Sequence, residues 1–177
     1  MSSKIKQSIR ERIWDLMERE DIARFPRPVH GRIPNFEGAE MAAARLTELD
    51  AFKRARMVKV NPDAPQHPVR ENVLLSGRRL LMPTPRLRQG FILLEPDFPS
   101  SMFRYASTIR GSFVCGKLVG VEALPKVDFV IIGSVAVSPS GARLGKGGGY
   151  SEMEYAVLRQ LSLVDEKTPV ATTVHDI

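Results

Sequence analysis

Apolar residues recur at helical spacing near the start of the chain, at Ile5, Ile9, Ile13 and Leu16–Met17. This predicts an amphipathic helix over 3–20, capped by Ser2 or Ser3. The pattern then breaks. Residues 25–36 hold three prolines and no period, which reads as an ordered extended connection. Helical spacing returns over about 37–54, with Asn35 as the expected cap and Ala43, Leu46, Leu49 and Phe52 as the buried face. Ala55 to Val60 reads as a first strand that ends at the turn Asn61-Pro62-Asp63. A short helix is expected from Pro68 to Ser76, with Gly77 just past its end. Leu80 to Met82 reads as a second strand, stopped by Pro83 and Pro85. Phe91 to Leu94 is a short apolar run, and 100–110 has a helical pattern. Val127 to Val137 is nearly all branched and apolar, as in a strand covered on both faces. A helix over 150–162 should turn Tyr155, Leu158 and Leu161–Leu163 inward, and Pro169 to Val174 should form a last strand.

Strands that alternate with helices imply an α/β fold, with a largely parallel sheet and helices on both sides. At 177 residues the chain fits a single domain. Its weakest internal boundary divides a helical arm with a Pro-rich connection (1–36) from the sheet body (37–177). Apolar residues make up 43% and charged residues 26%, which excludes disorder, collagen and coiled coil for the whole chain. The lone cysteine, Cys115, excludes an intrachain disulfide and a Cys-rich zinc site, and it reads as a small buried residue. The longest uncharged apolar stretch, Phe129 to Val137, is too short to span a bilayer. Met1-Ser2-Ser3-Lys4 leads into a charged amphipathic segment unlike a signal peptide, so a cytoplasmic protein with no membrane partner is expected.

The net charge of +6 favours anionic partners, whether nucleic acid, nucleotide or polyanionic metabolite. No aromatic-basic stripe of the single-strand-binding kind is present, so nucleic acid is possible but not favoured. Surface Lys and Arg kept for solubility explain the charge equally well. Lys6 and Arg10 lie one helical turn apart, either as a solvated face or as a pair placed for an anion. Arg78, Arg79, Arg86 and Arg88 cluster around the second strand, facing water or an acidic ligand. His30, His67 and His175 have no metal-ligand spacing, and His175-Asp176 reads as a terminal turn. Trp14 reads as packing.

The segment Gly141-Ala-Arg143-Leu-Gly145-Lys146-Gly147-Gly148-Gly149-Tyr150 precedes a helix and follows the buried strand. Four glycines in five positions permit positive φ and let successive N–H groups face one concavity. The helix that follows adds its positive end, and Arg143 and Lys146 add full charges. This is the chemistry of a phosphate cradle. It is neither a Walker loop nor a dinucleotide fingerprint, because the glycine spacings of both are missed.

The run Ser138 to Tyr150, with Arg143-Leu-Gly145-Lys146-Gly-Gly-Gly-Tyr150, resembles the signature of the 5-formyltetrahydrofolate cyclo-ligase (methenyltetrahydrofolate synthetase) family. Lys6-Gln-Ser-Ile-Arg10 is similar to that family's N-terminal Lys-x-x-x-Arg. Further segments resemble its methenyltetrahydrofolate synthetase domain-containing subgroup. Among them are Phe25-Pro26-Arg27-Pro28-Val29-His30, Val60-Asn61-Pro62-Asp63, Pro83-Thr84-Pro85-Arg86-Leu87 and Thr173-Val174-His175-Asp176. The resemblance implies a three-layer α/β sandwich of the sugar-isomerase and CoA-transferase type. It also implies ATP- and Mg²⁺-dependent closure of 5-formyltetrahydrofolate to 5,10-methenyltetrahydrofolate, with ATP and a reduced folate as partners of a monomer or homodimer.

Carried over residue by residue, Lys6, Arg10, Lys146, Tyr150 and the amides of Gly145, Gly147, Gly148 and Gly149 would hold ATP. Arg143 and Lys146 would be the catalytic cations. Asp63, Arg86 and Tyr150 would meet the folate, and Glu152 would ligate the metal. This sequence departs from the family pattern in two adjacent places: Ser151 stands for a second Tyr and Glu152 for an Asp. The family's folate-side Glu-x-x-Thr has no clean match, and Ile177 comes one strand earlier than in most members. Three alternatives stay open: a nucleotide- or folate-binding module without turnover, an RNA-associated module of the same fold, and a related ATP-dependent ligase for another small substrate.

Overall fold

A computed structural model describes residues 2–177. In chain order the elements are α1 (Ser3–Arg19), β1 (Ala23–Arg24), β2 (Asn35–Phe36), α2 (Ala39–Thr47), α3 (Asp50–Arg54), β3 (Met57–Val60), α4 (His67–Leu75), β4 (Arg79–Pro83) and β5 (Phe91–Leu94). There follow α5 (Phe103–Ala106), α6 (Ile109–Cys115), β6 (Lys117–Val119), β7 (Phe129–Ile131), β8 (Ala136–Val137), β9 (Arg143–Leu144), α7 (Tyr150–Gln160) and β10 (Val170–Ala171). The main sheet runs β10-β7-β3-β4-β5-β6. Its first four strands are parallel, and β5 and β6 add an antiparallel edge.

Alternation along β3 sets up two cores. Val58 and Val60 face one side with Ala43 and Leu46 of α2, Val73 and Leu74 of α4, and Phe103 of α5. Met57 faces the other side with Leu81, Val130 and Leu158 of α7. The result is a three-layer α/β sandwich with a mostly parallel sheet, as the pattern and the resemblance imply. A third cluster joins the arm to the body. Trp14 and Met17 of α1 pack on Val29, Ile33, Phe36, Ala39 and Val135. Burying a side chain of this size stabilises by about 1.5–3 kcal/mol, so Trp14 and Met17 anchor the arm. No helix among the described residues is long and apolar enough to cross a membrane.

Several expectations need correction. The single helix over 37–54 is two, because Leu49 is extended (φ −63°, ψ 137°). Leu46 and Phe52, six positions apart, would sit about 120° apart on an unbroken helix. The break lets both reach one core and leaves Leu49 46% exposed. Asn35 does not cap α2. It lies in β2, and its Nδ2 donates to Phe25 O at 2.8 Å. Gly38, at φ 83°, takes the cap position, where an L side chain would be strained. The strand expected over 127–137 keeps only Phe129–Ile131, since Pro139-Ser140-Gly141 is the turn of a hairpin that pairs β8 with β9. That pairing draws Ala136 and Val137 away from the main sheet. The edge strand β6 is too short and exposed to leave a sequence pattern. Leu161, expected inward, is exposed.

The end of α1 is tied to the proline-rich connection through Glu18. One carboxylate oxygen accepts the Val29 N–H at 2.8 Å, and the other meets Arg27 at 2.7 Å. The Val29 amide first and Arg27 second hold this carboxyl below its ordinary value. A depressed folded-state value stabilises the fold above the ordinary carboxylate range, and the effect fades as pH falls through the folded value. Glu18→Gln should therefore lower Tm near neutral pH, and the gap to the parent should close in acid. Thermal scans across pH check this, and a gap that persists in acid contradicts the assignment.

Candidate functional site

The cleft forms where β3 and β7 end. Connections from β3 run to β4 on one side and later return to β7 on the other, so this is the switch point where open α/β sheets bind ligands. Beyond β3 the chain turns through Asn61-Pro62-Asp63, and beyond β7 it bends at Gly133. The glycine loop enters from the β8–β9 hairpin and runs into α7. Together with α1 these segments enclose about 280 Å³, lined by Lys6, Arg10, Asp63, Arg143, Tyr150, Glu152 and the loop itself.

Within the loop, Gly147 has φ 102° and Gly149 φ 72°. Gly149 is the cap residue of α7 and supplies no side-chain acceptor to its first turn. Among the described residues, no backbone N–H from Gly145 to Glu152 has a protein acceptor. A helix start in that state carries partial positive charge toward the cleft. The loop is held from both sides. Arg10 Nε donates to Gly145 O at 2.7 Å, which clamps α1 onto it. Lys146 Nζ lies 3.0 Å from Asp63 Oδ1 across the cleft.

Arg143 has a more structural place than its charge suggests. Nε and Nη2 both donate to Gly133 O, and Nη1 meets Glu152 Oε1 at 2.9 Å. It therefore brackets the hairpin, the end of β7 and the first turn of α7. Glu152 is 64% exposed at the rim. Gly133 has no room for a side chain. A Cβ there would lie 2.8 Å from Gln66 Oε1, 2.9 Å from Ile33 Cγ2 and 3.0 Å from Asp63 Oδ2.

A buried polar layer lies beneath the cleft, and sequence reasoning missed it. Lys59 Nζ contacts Glu154 Oε2 at 2.6 Å, and Asn61 Nδ2 donates to the same oxygen at 2.8 Å. Burial pushes the Lys59 ammonium below its ordinary value, against the pull of Glu154. Among the described residues, Arg70 of α4 has no carboxylate within salt-bridge distance. Its Nη1 donates to Asn61 O at 2.6 Å and Asp63 O at 3.0 Å, and its Nε to Ser107 O at 2.7 Å. Burial lowers its pKa to about 10, so it remains charged near neutral pH. Gln66 is fully buried. Its Nε2 donates to Thr173 while Oε1 has no donor. One signal was available: a lysine inside the apolar run Met57-Val58-Lys59-Val60, a strand buried throughout, needs polar partners from another element.

Of the sequence-derived candidates, Lys6, Arg10, Asp63, Arg143, Tyr150, Glu152 and Gly145 to Gly149 with Lys146 line one cleft. Arg86 does not join them; it is exposed on the turn after β4, at φ 57°. Arg78 stacks 4.6 Å over Phe52, and Arg79 pairs with Glu95. The histidines stay apart: His30 pairs with Asp15, His67 meets Arg104 O, and His175 lies edge-on to Phe36. Cys115 is half-buried beside the core of the α2–α4 face.

Comparison with known proteins places the chain in a family. The model of the 5-formyltetrahydrofolate cyclo-ligase family matches residues 2–177. A mouse (Mus musculus) methenyltetrahydrofolate synthase domain-containing protein is 52% identical over 174 residues, 97% of this chain and 47% of the relative. The human (Homo sapiens) protein of that name is 46% identical over 97% of this chain and 45% of its own length. This chain thus spans about half the length of the curated relatives it matches. The solved 5,10-methenyltetrahydrofolate synthetase of Aquifex aeolicus shares the fold, with a TM-score of 0.52 and 18% identity over 98% of this chain and 84% of that one. With the family model matched over residues 2–177 and relatives of that family's name up to 52% identical across 97% of the chain, this chain belongs to the 5-formyltetrahydrofolate cyclo-ligase family.

Proposed function

We propose that the chain converts 5-formyltetrahydrofolate, with ATP, to 5,10-methenyltetrahydrofolate, ADP and phosphate. The observation that carries this reading is the run of N–H groups from Gly145 to Glu152 without protein acceptors among the described residues, in a loop that lines one cleft with Lys6, Arg10 and Lys146. A formamide oxygen is a poor leaving group. Transfer of the ATP γ-phosphoryl group to it creates a good one. Nitrogen 10 then attacks the activated carbon, the ring closes and phosphate leaves. The chain's own task is to position two substrates and to neutralise charge spread over the transferring group.

In this reading the loop amides and the α7 N-terminus hold the phosphates, and Lys146 exchanges Asp63 for a phosphate oxygen. Lys6 and Arg10 close the cleft from α1. Asp63, so released, and Tyr150 face the folate. Arg86 would reach the folate only through its exposed tail. Magnesium commonly binds through one or two carboxylates plus substrate phosphates. Glu152, an exposed carboxylate at the start of α7, fits that demand once Arg143 shares it. The ion would supply further charge neutralisation on the phosphates.

Mixing the protein with 5-formyltetrahydrofolate and Mg-ATP should produce growing methenyl absorbance. A second reading, binding without turnover, is favoured by the engagement of Glu152 with Arg143 and by Ser151 beside it. Calorimetric ATP binding with no absorbance growth selects that reading, and absence of both removes the nucleotide site.

A further inference from the structure

The buried layer beneath the loop contains an ion pair that the proposed chemistry does not use. Lys59 and Glu154 have side chains 1% and 4% exposed, and they come from different layers, β3 and α7. An apolar pair of similar volume would avoid the desolvation cost of burying them. Asn61 extends the pair. It lies two residues after Lys59, on the same face of the strand. Its Nδ2 reaches Glu154 Oε2 at 2.8 Å and Ser151 Oγ at 3.4 Å. Its Oδ1 accepts the Gly133 N–H at 3.3 Å. Ser151 and Glu154 are three apart on α7 and so share a face. Gly133 in turn accepts Arg143. The unit thereby touches the cleft loop at both ends, at Arg143 before the glycines and at Ser151 after them.

We propose that Lys59, Glu154 and Asn61 are positioning residues that fix the two ends of the Arg143–Glu152 segment and hold its glycines open for a phosphate. The ligand part of this inference rests on the nucleotide reading above. The positioning part does not. A charged, hydrogen-bonded pair has one favourable geometry, whereas an apolar pair can slide. The strand end and the helix start are thereby held in a single register.

The test is the double variant Lys59→Met/Glu154→Leu, which removes both charges together and leaves neither buried alone. It should unfold at a midpoint equal to or above the parent's. ATP affinity by calorimetry should fall at least tenfold. Limited trypsin cleavage after Lys146, identified by mass, should accelerate at least tenfold while cuts elsewhere keep their rates. A stable double variant with parental ATP affinity and parental cleavage at Lys146 overturns the proposal. If the parent itself binds no ATP, the nucleotide reading fails, and the cleavage rate still decides whether the unit positions the loop. If the double variant does not fold, Asn61→Ala is measured in the same two ways, because it cuts the links to Ser151 and Gly133 and keeps the ion pair.

Discussion

Lys146→Ala should weaken ATP binding by about ten- to a hundredfold and leave the unfolding midpoint nearly unchanged. The affinity follows from chemistry: a hydrogen bond to a charged group contributes about 1.5–3 kcal/mol. The stability follows from exposure. Lys146 is 39% exposed and pairs with Asp63 at the cleft mouth, and a pair whose cation is this open to solvent contributes about 1 kcal/mol or less. Its loss uncovers the cleft side of Asp63, whose side chain is 15% exposed in the pair. Titration calorimetry and a thermal scan separate the two effects. Unchanged affinity removes Lys146 from the site, and a large drop in Tm shows that it serves the fold instead. Arg143→Ala should behave differently and lower both quantities, since that guanidinium brackets Gly133 O and Glu152.

The contrast between these two cations shows where sequence reading reaches its limit. The glycine loop was legible because its chemistry is local: positive φ, free amides and the start of a helix all lie within ten consecutive positions. Lys6 and Arg10 needed the family resemblance, since one turn of a helix cannot say what faces it. The layers of the fold followed from alternating patterns, but the hairpin at Pro139 did not, because β8 continues the apolar run that begins in β7 and β9, only Arg143–Leu144, has no pattern of its own. Arg86 stood beside a strand end in the sequence, yet the left-handed turn at Pro85–Leu87 points elsewhere than the cleft. Lys59 and Glu154 are ninety-five positions apart, and nothing near either one names the other.

Arg70 is the clearest case of this kind, and its replacement should have the largest effect on stability. Arg70→Met should destabilise the fold by about 3–5 kcal/mol, against a typical total of about 5–15 kcal/mol. Methionine fills much of the space but donates nothing. The carbonyls of Asn61, Asp63 and Ser107 would each lose a charged donor. An unpaired buried acceptor costs about 1–3 kcal/mol, partly offset here because the desolvation cost of the guanidinium also disappears. Lysine should not rescue the loss, since a single ammonium lacks the fork that spans Nε and Nη1 contacts. Urea unfolding gives the stability directly, and a change under 1 kcal/mol would mean that water replaces the guanidinium. Two of the three carbonyls belong to the turn that presents Asp63 to Lys146, so ATP affinity should fall as well, even in the fraction that remains folded.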